Sequence, residues 1–328
     1  MSLKTGILST AHLHAGGYAR ALATNPRSQL LGIADEEPER GRAMAERFGV
    51  AFYDSYERLV EEADAVAIAS ENVKHRQFVE LAASHGCHMI CEKPLCTTIE
   101  DGRAMLEACE KAGVQLMTCF PCRYAPSYRR LVERVRAGEV GEVLAVCATN
   151  HGQMPQNSWF NVVSLSGGGA MMDHTVHVAD LLRALLGSEA VEVYAETGNN
   201  MYHGSYEDIA MLTVTFENGV FATIDASWSR PLSFRTWGDV TMNVVGTGGV
   251  AEIDLFSQAV LSYSNKDMRV REAGYGTDLD RELMSDFLAA AEEGTPVPIS
   301  GYDGFKAAEM AIAGYESART GRPVRLPL

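Results

Sequence analysis

The sequence predicts an α/β chain in two parts: a doubly wound parallel sheet over residues 1–122, then an α+β domain over residues 123–328 with a broad, largely antiparallel sheet. Over the first 120 residues, short apolar runs alternate with helix-length amphipathic stretches, the pattern of βαβ units. After about residue 123, strand patterns follow one another with turn residues between them. The 328 residues also suit two domains at roughly 150 each.

In chain order, strands are predicted at Thr5–Ser9, Leu30–Ala34, Ala65–Ala69, His88–Cys91 and Gln115–Cys119. Helices fall between them at Tyr18–Thr24, Glu39–Phe48, His75–His85 and Glu100–Ala112, several stopped by a glycine just past the apolar period (Gly49, Gly86, Gly113). The second part opens with a strand near Val143–Thr149, then a glycine-rich loop and a helix at Met171–Leu186. Strand patterns run from Val191 to Tyr263. Asn218-Gly219 between two β-rich runs is a hairpin signal, and Gly246-Thr247-Gly248-Gly249 marks another turn. Helices at Asp280–Glu293 and Gly304–Ala318 close the chain, separated by Pro296 and Pro298.

Composition narrows the function. With 46% hydrophobic and 22% charged residues, the chain is an ordinary globular one. Its net charge of -15 presents a repulsive field to a phosphate backbone, which excludes nucleic acid as a partner. No apolar run approaches the roughly 20 residues of a membrane span, and no signal-peptide core precedes the first strand, so a cytoplasmic protein is expected. Seven cysteines, an odd number, suit a reducing compartment. Cys119 and Cys122 have the C-x-x-C spacing, but no second pair accompanies them and no metal is assigned there.

The first βα turn, Ser9 to His14, sits where a dinucleotide fingerprint belongs, with Ser9, Ala11 and His14 in the three glycine places. Small residues at the first two permit a tight turn, whereas His14 breaks the rule. Asp35 follows the second strand, near the interval at which an acid accepts from both ribose hydroxyls. With Glu36 and Glu37 beside it, a 2′-phosphate is repelled, so NAD is expected over NADP. His12 and His14 read as neighbours of the phosphates or of the site mouth.

At Glu92-Lys93-Pro94, after the strand ending at Cys91, the sequence resembles the glucose-fructose oxidoreductase / inositol dehydrogenase (Gfo/Idh/MocA) family. The resemblance implies a Rossmann domain, a nicotinamide cofactor, and a lysine, here Lys93, presented to substrate and to the nicotinamide ribose. Residues 71–75 and 82–88 resemble the stretch leading into that triplet. Gly167-Gly168-Gly169 opening a helix with Asp173 and His177 matches a second signature, and i, i+4 spacing puts both side chains on one face. The echoes continue at Arg123-Tyr124, residues 245–249 and 301–304. The cofactor side is assigned to Ser9, Thr10, Ala11, His12, Leu13, Asp35, Ser70, Asn72, His75, Glu92 and Lys93. The substrate side is assigned to Lys93, Arg123, Tyr124, His151, Trp159, Asp173, His174 and His177.

Lys93, Asp173 and His177 are the expected catalytic set, with His177 as base, Asp173 orienting and Lys93 stabilising alkoxide charge; transfer of the proton by the lysine stays open. Asp173, His174 and His177 converge poorly as metal ligands, and no metal is assigned. The expected reaction is hydride transfer between NAD and a secondary alcohol of a sugar or cyclic polyol. The alternatives are a redox-neutral NAD-dependent glycosidase and a non-catalytic sugar or dinucleotide sensor. A broad sheet with an uncovered face implies a homodimer or homotetramer.

Overall fold

The computed structural model describes residues 2–156 and 158–328. Its first part runs β1 (Leu3–Leu8), α1 (Ala15–Thr24), β2 (Ser28–Ala34), α2 (Pro38–Phe48), β3 (Ala51–Tyr53), α3 (Tyr56–Glu62), β4 (Ala65–Ile68), α4 (His75–Ser84), β5 (His88–Cys91), α5 (Ile99–Ala112) and β6 (Leu116–Thr118). All six strands are parallel, in the order β3-β2-β1-β4-β5-β6. The order reverses beside β1, and the carboxyl edge at that reversal is where such sheets open a ligand crevice. Local chemistry sets the helix limits: Thr98 caps α5 by accepting from the Asp101 N–H (3.1 Å), and Gly113 ends it at φ +68°.

Within this first part, two elements have no counterpart in the sequence reading. The edge strand β3 has three residues, too few for an alternation to show, and α3 has seven.

The second part continues with α6 (Pro126–Arg136), β7 (Val143–Gly152), α7 (Val163–Ser166), α8 (Ala170–Leu186), β8 (Ala190–Gly198), β9 (Ile209–Phe216), β10 (Phe221–Ser227), β11 (Gly238–Gly246), β12 (Gly249–Asp254), β13 (Ala259–Ser264), β14 (Arg269–Gly274), α9 (Leu279–Glu293), α10 (Gly301–Thr320) and β15 (Val324–Arg325). Seven strands form one sheet, β12-β11-β7-β10-β9-β8-β15, antiparallel except where β7 meets β10. The predicted hairpin joins β9 to β10, with Gly219 at φ +84° and the Val220 N–H donating to Asn218 Oδ1 (3.1 Å). Val146, Ala148, Leu212, Val214, Ile224 and Val244 are fully buried on the inner face, over which α8 lies. Burying each of the branched side chains among them stabilises by about 1.5–3 kcal/mol.

The closing helices tie the halves together. α9 packs on α1, while α10 packs on α8 and β8 and reaches α5 and β6. No helix among the described residues is long and apolar enough to cross a membrane.

Candidate active site

Lys93 leaves the carboxyl end of β5 in a turn with a cis Lys93–Pro94 peptide. His75, at the start of α4, donates from Nδ1 to the carbonyls of Pro94 (3.0 Å) and Leu95 (3.2 Å), clasping that turn from below. The opposing group comes from α8. Its glycine run is a packing requirement: a Cβ at Gly168 would strike the Tyr315 hydroxyl, and one at Gly169 the Glu207 carbonyl. Glu207 accepts from the N–H groups of Gly169 (2.8 Å) and Met171 (3.0 Å), so the helix start is held by a carboxylate.

This places Asp173 in the first turn of α8, where its Oδ1 accepts from Lys93 Nζ at 2.6 Å. Its Oδ2 accepts from Trp228 Nε1 (3.1 Å) and faces His174 Nε2 (3.2 Å), while His174 Nδ1 donates to the Asn150 carbonyl (2.9 Å). His177, one turn on, lies edge-on to Phe120, with Cys122 Sγ 4.0 Å from Nδ1. Burial opposes the charge of Lys93, but Asp173 and then Glu92 outweigh it and hold the ammonium above its ordinary range. Asp173 resists burial in the same way, held well below the usual carboxylate range by Lys93 and His174. Burial, then the Lys93 charge, pushes His177 well below 6.5. The site therefore offers a charged lysine paired to a carboxylate and a neutral imidazole.

These groups line a cavity of about 240 Å³. His12, His14, Asn150, Lys93, Asp173, His174 and His177 supply polar walls, and Pro121, Pro155, Phe160, Trp237, Val240 and Phe256 the apolar ones.

At the nucleotide end, Ser9 takes the left-handed conformation a glycine would take (φ +66°), and its Oγ accepts from the Ala11 N–H (3.3 Å). Asp35 is buried and accepts from Thr10 N (2.7 Å), Thr10 Oγ1 (2.5 Å), Glu37 N (2.8 Å) and both arms of Arg40 (3.0 and 2.7 Å). Against the penalty of burial, Arg40 and Thr10 keep its carboxyl below the usual range. Buried polar atoms at this edge, among them His12 Nε2, Asn72 Oδ1 and His75 Nε2, have no hydrogen-bond partner. A ligand with hydroxyl, amide and phosphate groups would satisfy them, so the residues fit a dinucleotide.

Glu92 lies behind Lys93, fully buried. Its Oε1 accepts from the Tyr18 hydroxyl and faces His12 Nδ1 (3.0 Å) and His14 Nδ1 (2.9 Å). Ligating atoms of His12, His14 and Glu92 lie within 4.8 Å of one another, and the cluster closes on itself through the His14 N–H, which donates to His12 Nδ1 (3.2 Å).

Several residues expected at the site are placed otherwise. Arg123, expected to face substrate, is bound through both arms to Asp180 (2.7 and 2.6 Å) and does not line the cavity. Tyr124 is buried in the core with the Arg129 guanidinium over its ring, and it does not line the cavity. The Trp159 indole donates to the Ala11 carbonyl (3.0 Å), and it is the ring stacked on it, Phe160, that lines the cavity. His151 reaches the cavity but is held between Asp239 (2.9 Å) and Asp225 (3.1 Å), whose hydrogen bonds overcome burial and raise it to about 9. His75 and Ser70 serve the backbone of the edge: His75 clasps the lysine turn, and Ser70 Oγ donates to the Glu71 carbonyl (3.1 Å). Leu13 is exposed at the cavity mouth. Cys119 and Cys122 are buried thiols; burial and then Asp180 push Cys122 to about 12, away from the thiolate that redox or metal work needs. Sequence reasoning missed Asn150, Trp228 and Trp237, which no local motif marks.

Residues 7–120 match the family model described as "Oxidoreductase family, NAD-binding Rossmann fold", and residues 128–252 match "GFO/IDH/MocA C-terminal domain". The D-xylose 1-dehydrogenase (NADP(+)) 2 of Haloferax volcanii is 29% identical over 98% of this chain and 99% of its own length. The myo-inositol 2-dehydrogenase of Thermotoga maritima is 29% identical over 90% of this chain and 91% of its own. Among solved structures, GenD2 from gentamicin A biosynthesis, in complex with NAD, superposes with a TM-score of 0.91 over 100% of this chain and 97% of that one, at 24% identity.

Proposed function

The chain belongs to the Gfo/Idh/MocA oxidoreductases, and from that premise we propose that it is an NAD-dependent dehydrogenase acting on a secondary alcohol of a sugar or cyclic polyol. The observation that carries this reading is the Lys93–Asp173 contact of 2.6 Å beside His177, in one cavity at the carboxyl edge of an NAD-binding domain. A non-catalytic sensor has no use for a buried ammonium and a neutral imidazole facing a shared space.

The fingerprint loop from Ser9 to Leu13, with Asp35 and Asn72, would hold the cofactor. NAD, when bound, supplies the hydride acceptor. His177, kept neutral by burial, takes the hydroxyl proton, and the Lys93 ammonium steadies the negative charge that grows on that oxygen. Asp173 aims Lys93, and Trp228 and His174 aim Asp173. NAD is favoured over NADP because both cations near Asp35 are already engaged: Arg40 pairs with Asp35 and Glu37, and Lys74 with Glu36 and Glu71.

A second copy of the chain fits the open face of the large sheet. Cross-strand pairing puts Phe221, Ala145, Val245 and Val250 in one row, with Phe221 52% and Val250 58% exposed. Such a row favours a homodimer or homotetramer.

The decisive test follows absorbance of reduced nicotinamide with NAD and then NADP over inositols, aldoses, glycosides, and amino and uronic sugars. Sustained NADH formation on one class is expected. Glycoside cleavage without net NADH, or binding without turnover, refutes the reading in favour of a redox-neutral glycosidase or a sensor.

A further inference from the structure

The reacting groups of the cavity come from β5 and α8, which bring Lys93, Asp173 and His177. Much of its apolar lining comes from elsewhere: Pro155 just past β7, Trp237 and Val240 at the start of β11, and Phe256 just past β12. The Leu255 N–H donates to the Val240 carbonyl (2.9 Å), which sets Phe256 beside β11. Pro155 and Val240 are buried and Phe256 half-buried, but Trp237 is 52% exposed. A residue that both lines the cavity and is half open to solvent stands at its mouth.

We propose that Trp237 determines specificity by stacking on a flat apolar aglycone, so that the preferred substrate is an aryl glycoside oxidised at a hydroxyl of its sugar ring. The inference rests on the dehydrogenase reading above. The indole is held in place by the backbone that carries it. The Trp237 carbonyl accepts from the Gln153 N–H (3.0 Å), Gln153 Nε2 donates to the Thr236 carbonyl (3.2 Å), and Thr236 Oγ1 donates to the Gly238 carbonyl (2.7 Å). The ring is also near the chemistry. A Cβ at Gly152 would lie 2.6 Å from His174 Cε1 and 3.4 Å from Trp237 Nε1, so the indole and the imidazole beside Asp173 share the space over one glycine.

Size and polarity choose the substrate class. At about 240 Å³ the cavity falls below the roughly 300 Å³ at which pockets for drug-sized ligands begin, so it takes one sugar ring. A group joined to that ring by a glycosidic bond extends toward the mouth, where the indole face meets it. The polar groups near Trp237 are already engaged: His151 lies between Asp239 (2.9 Å) and Asp225 (3.1 Å), Arg230 takes the second Asp239 oxygen (2.5 Å), and the Thr236 hydroxyl is bound to Gly238. The hydroxyls of a second sugar would leave water without partners there, a net cost. An aromatic ring leaves no polar group unmatched and gains stacked or edge-to-face contact with the indole.

The test measures NADH formation from phenyl and methyl glycosides of glucose, galactose, xylose and glucuronic acid, with the free sugars, inositols and disaccharides alongside. For the sugar that is turned over, kcat/KM should be about tenfold higher for the phenyl than for the methyl glycoside, with the difference in KM rather than kcat. In Trp237→Ala that ratio should fall to within about twofold of one, and Trp237→Phe, which keeps a ring, should restore most of it. A ratio taken within one variant is unaffected by partial loss of folded protein, and Trp237→Gln gives the same reading should the alanine variant fold poorly. A wild-type ratio near one, a disaccharide preferred to the phenyl glycoside, or a ratio that Trp237→Ala and Trp237→Gln leave unchanged overturns the aglycone site while leaving the dehydrogenase intact. NADH from free sugars or inositols alone does the same. No NADH from any compound overturns the dehydrogenase reading and the aglycone site with it.

Discussion

Cutting the Lys93–Asp173 pair from its two ends should have unequal consequences. In Lys93→Ala the Asp173 carboxylate keeps the charge-assisted hydrogen bond from Trp228 Nε1 at 3.1 Å. In Asp173→Ala the Lys93 ammonium, 5% exposed, keeps only the main-chain oxygen of residue 173 at 3.4 Å. Breaking a buried pair so that one charge is stranded destabilises by about 3–5 kcal/mol, whereas a carboxylate that retains the Trp228 donor should lose nearer 1–2 kcal/mol. Asp173→Ala is thus expected to be the less stable variant by about 2 kcal/mol, and adding Lys93→Ala to it should recover part of the loss, because the stranded charge goes. Urea unfolding of the wild type, both single variants and the double measures this as a double-mutant cycle. Asp173, whose folded pKa is depressed, contributes stability above its unfolded value near 3.9 and loses it as pH falls through the folded value; Lys93, whose folded pKa is raised, contributes below about 10.4 and loses it only as pH rises through its folded value. The gap should therefore hold between about pH 5 and 9. Equal losses, or losses that simply add in the double variant, would refute the assignment of Asp173 as the partner that makes a buried ammonium tolerable.

Other consequences can be measured separately. His177→Ala should lower kcat by about 10²–10⁴-fold, and because burial depresses His177 the wild-type kcat/KM should stay flat down to below pH 6.5; an acid limb centred above pH 7 would count against a neutral imidazole base. Asp35→Ser should release Arg40 and shift the ratio of kcat/KM for NAD over NADP by tenfold or more toward NADP, and an unchanged ratio would show that Asp35 does not read the ribose. Phe221→Glu should lower the molar mass seen by light scattering to that of a smaller assembly; a wild type that is already monomeric at micromolar concentration removes the sheet face as an interface.

The legible part of the site is the part written in local spacing. Glu92-Lys93-Pro94 follows an apolar strand directly, and Asp173 and His177 are one helical turn apart, so each signal needs only a few consecutive residues. Trp228 and Asn150 were illegible because they reach Asp173 and His174 only after β7 and β10 pair in parallel and α8 lies across them, a register that no short window contains. Arg123 shows the opposite failure. Its position after β6 is near the site, but side-chain direction is decided by Asp180, far along the chain on α8, which takes both arms of the guanidinium. The small strand β3 was invisible for lack of residues, and the large sheet was readable as strands and turns, though not in strand order.

The fingerprint loop explains how a glycine rule can be broken without losing the fold. Its first position demands φ above zero, and Ser9 meets that at roughly 1–2 kcal/mol, partly offset by the hydrogen bond its Oγ accepts from the Ala11 N–H. The third position usually needs glycine for close packing of helix on strand. Here the close approach has moved three residues on and to a different partner: a Cβ at Gly17 would lie 2.6 Å from Asp280 Oδ2 on α9. With the tight contact taken by Gly17, residue 14 is free to carry a side chain, and that side chain reaches Glu92, the residue next to Lys93. The loop is therefore shaped by a carboxylate and two imidazoles where the glycine pattern would shape it by their absence.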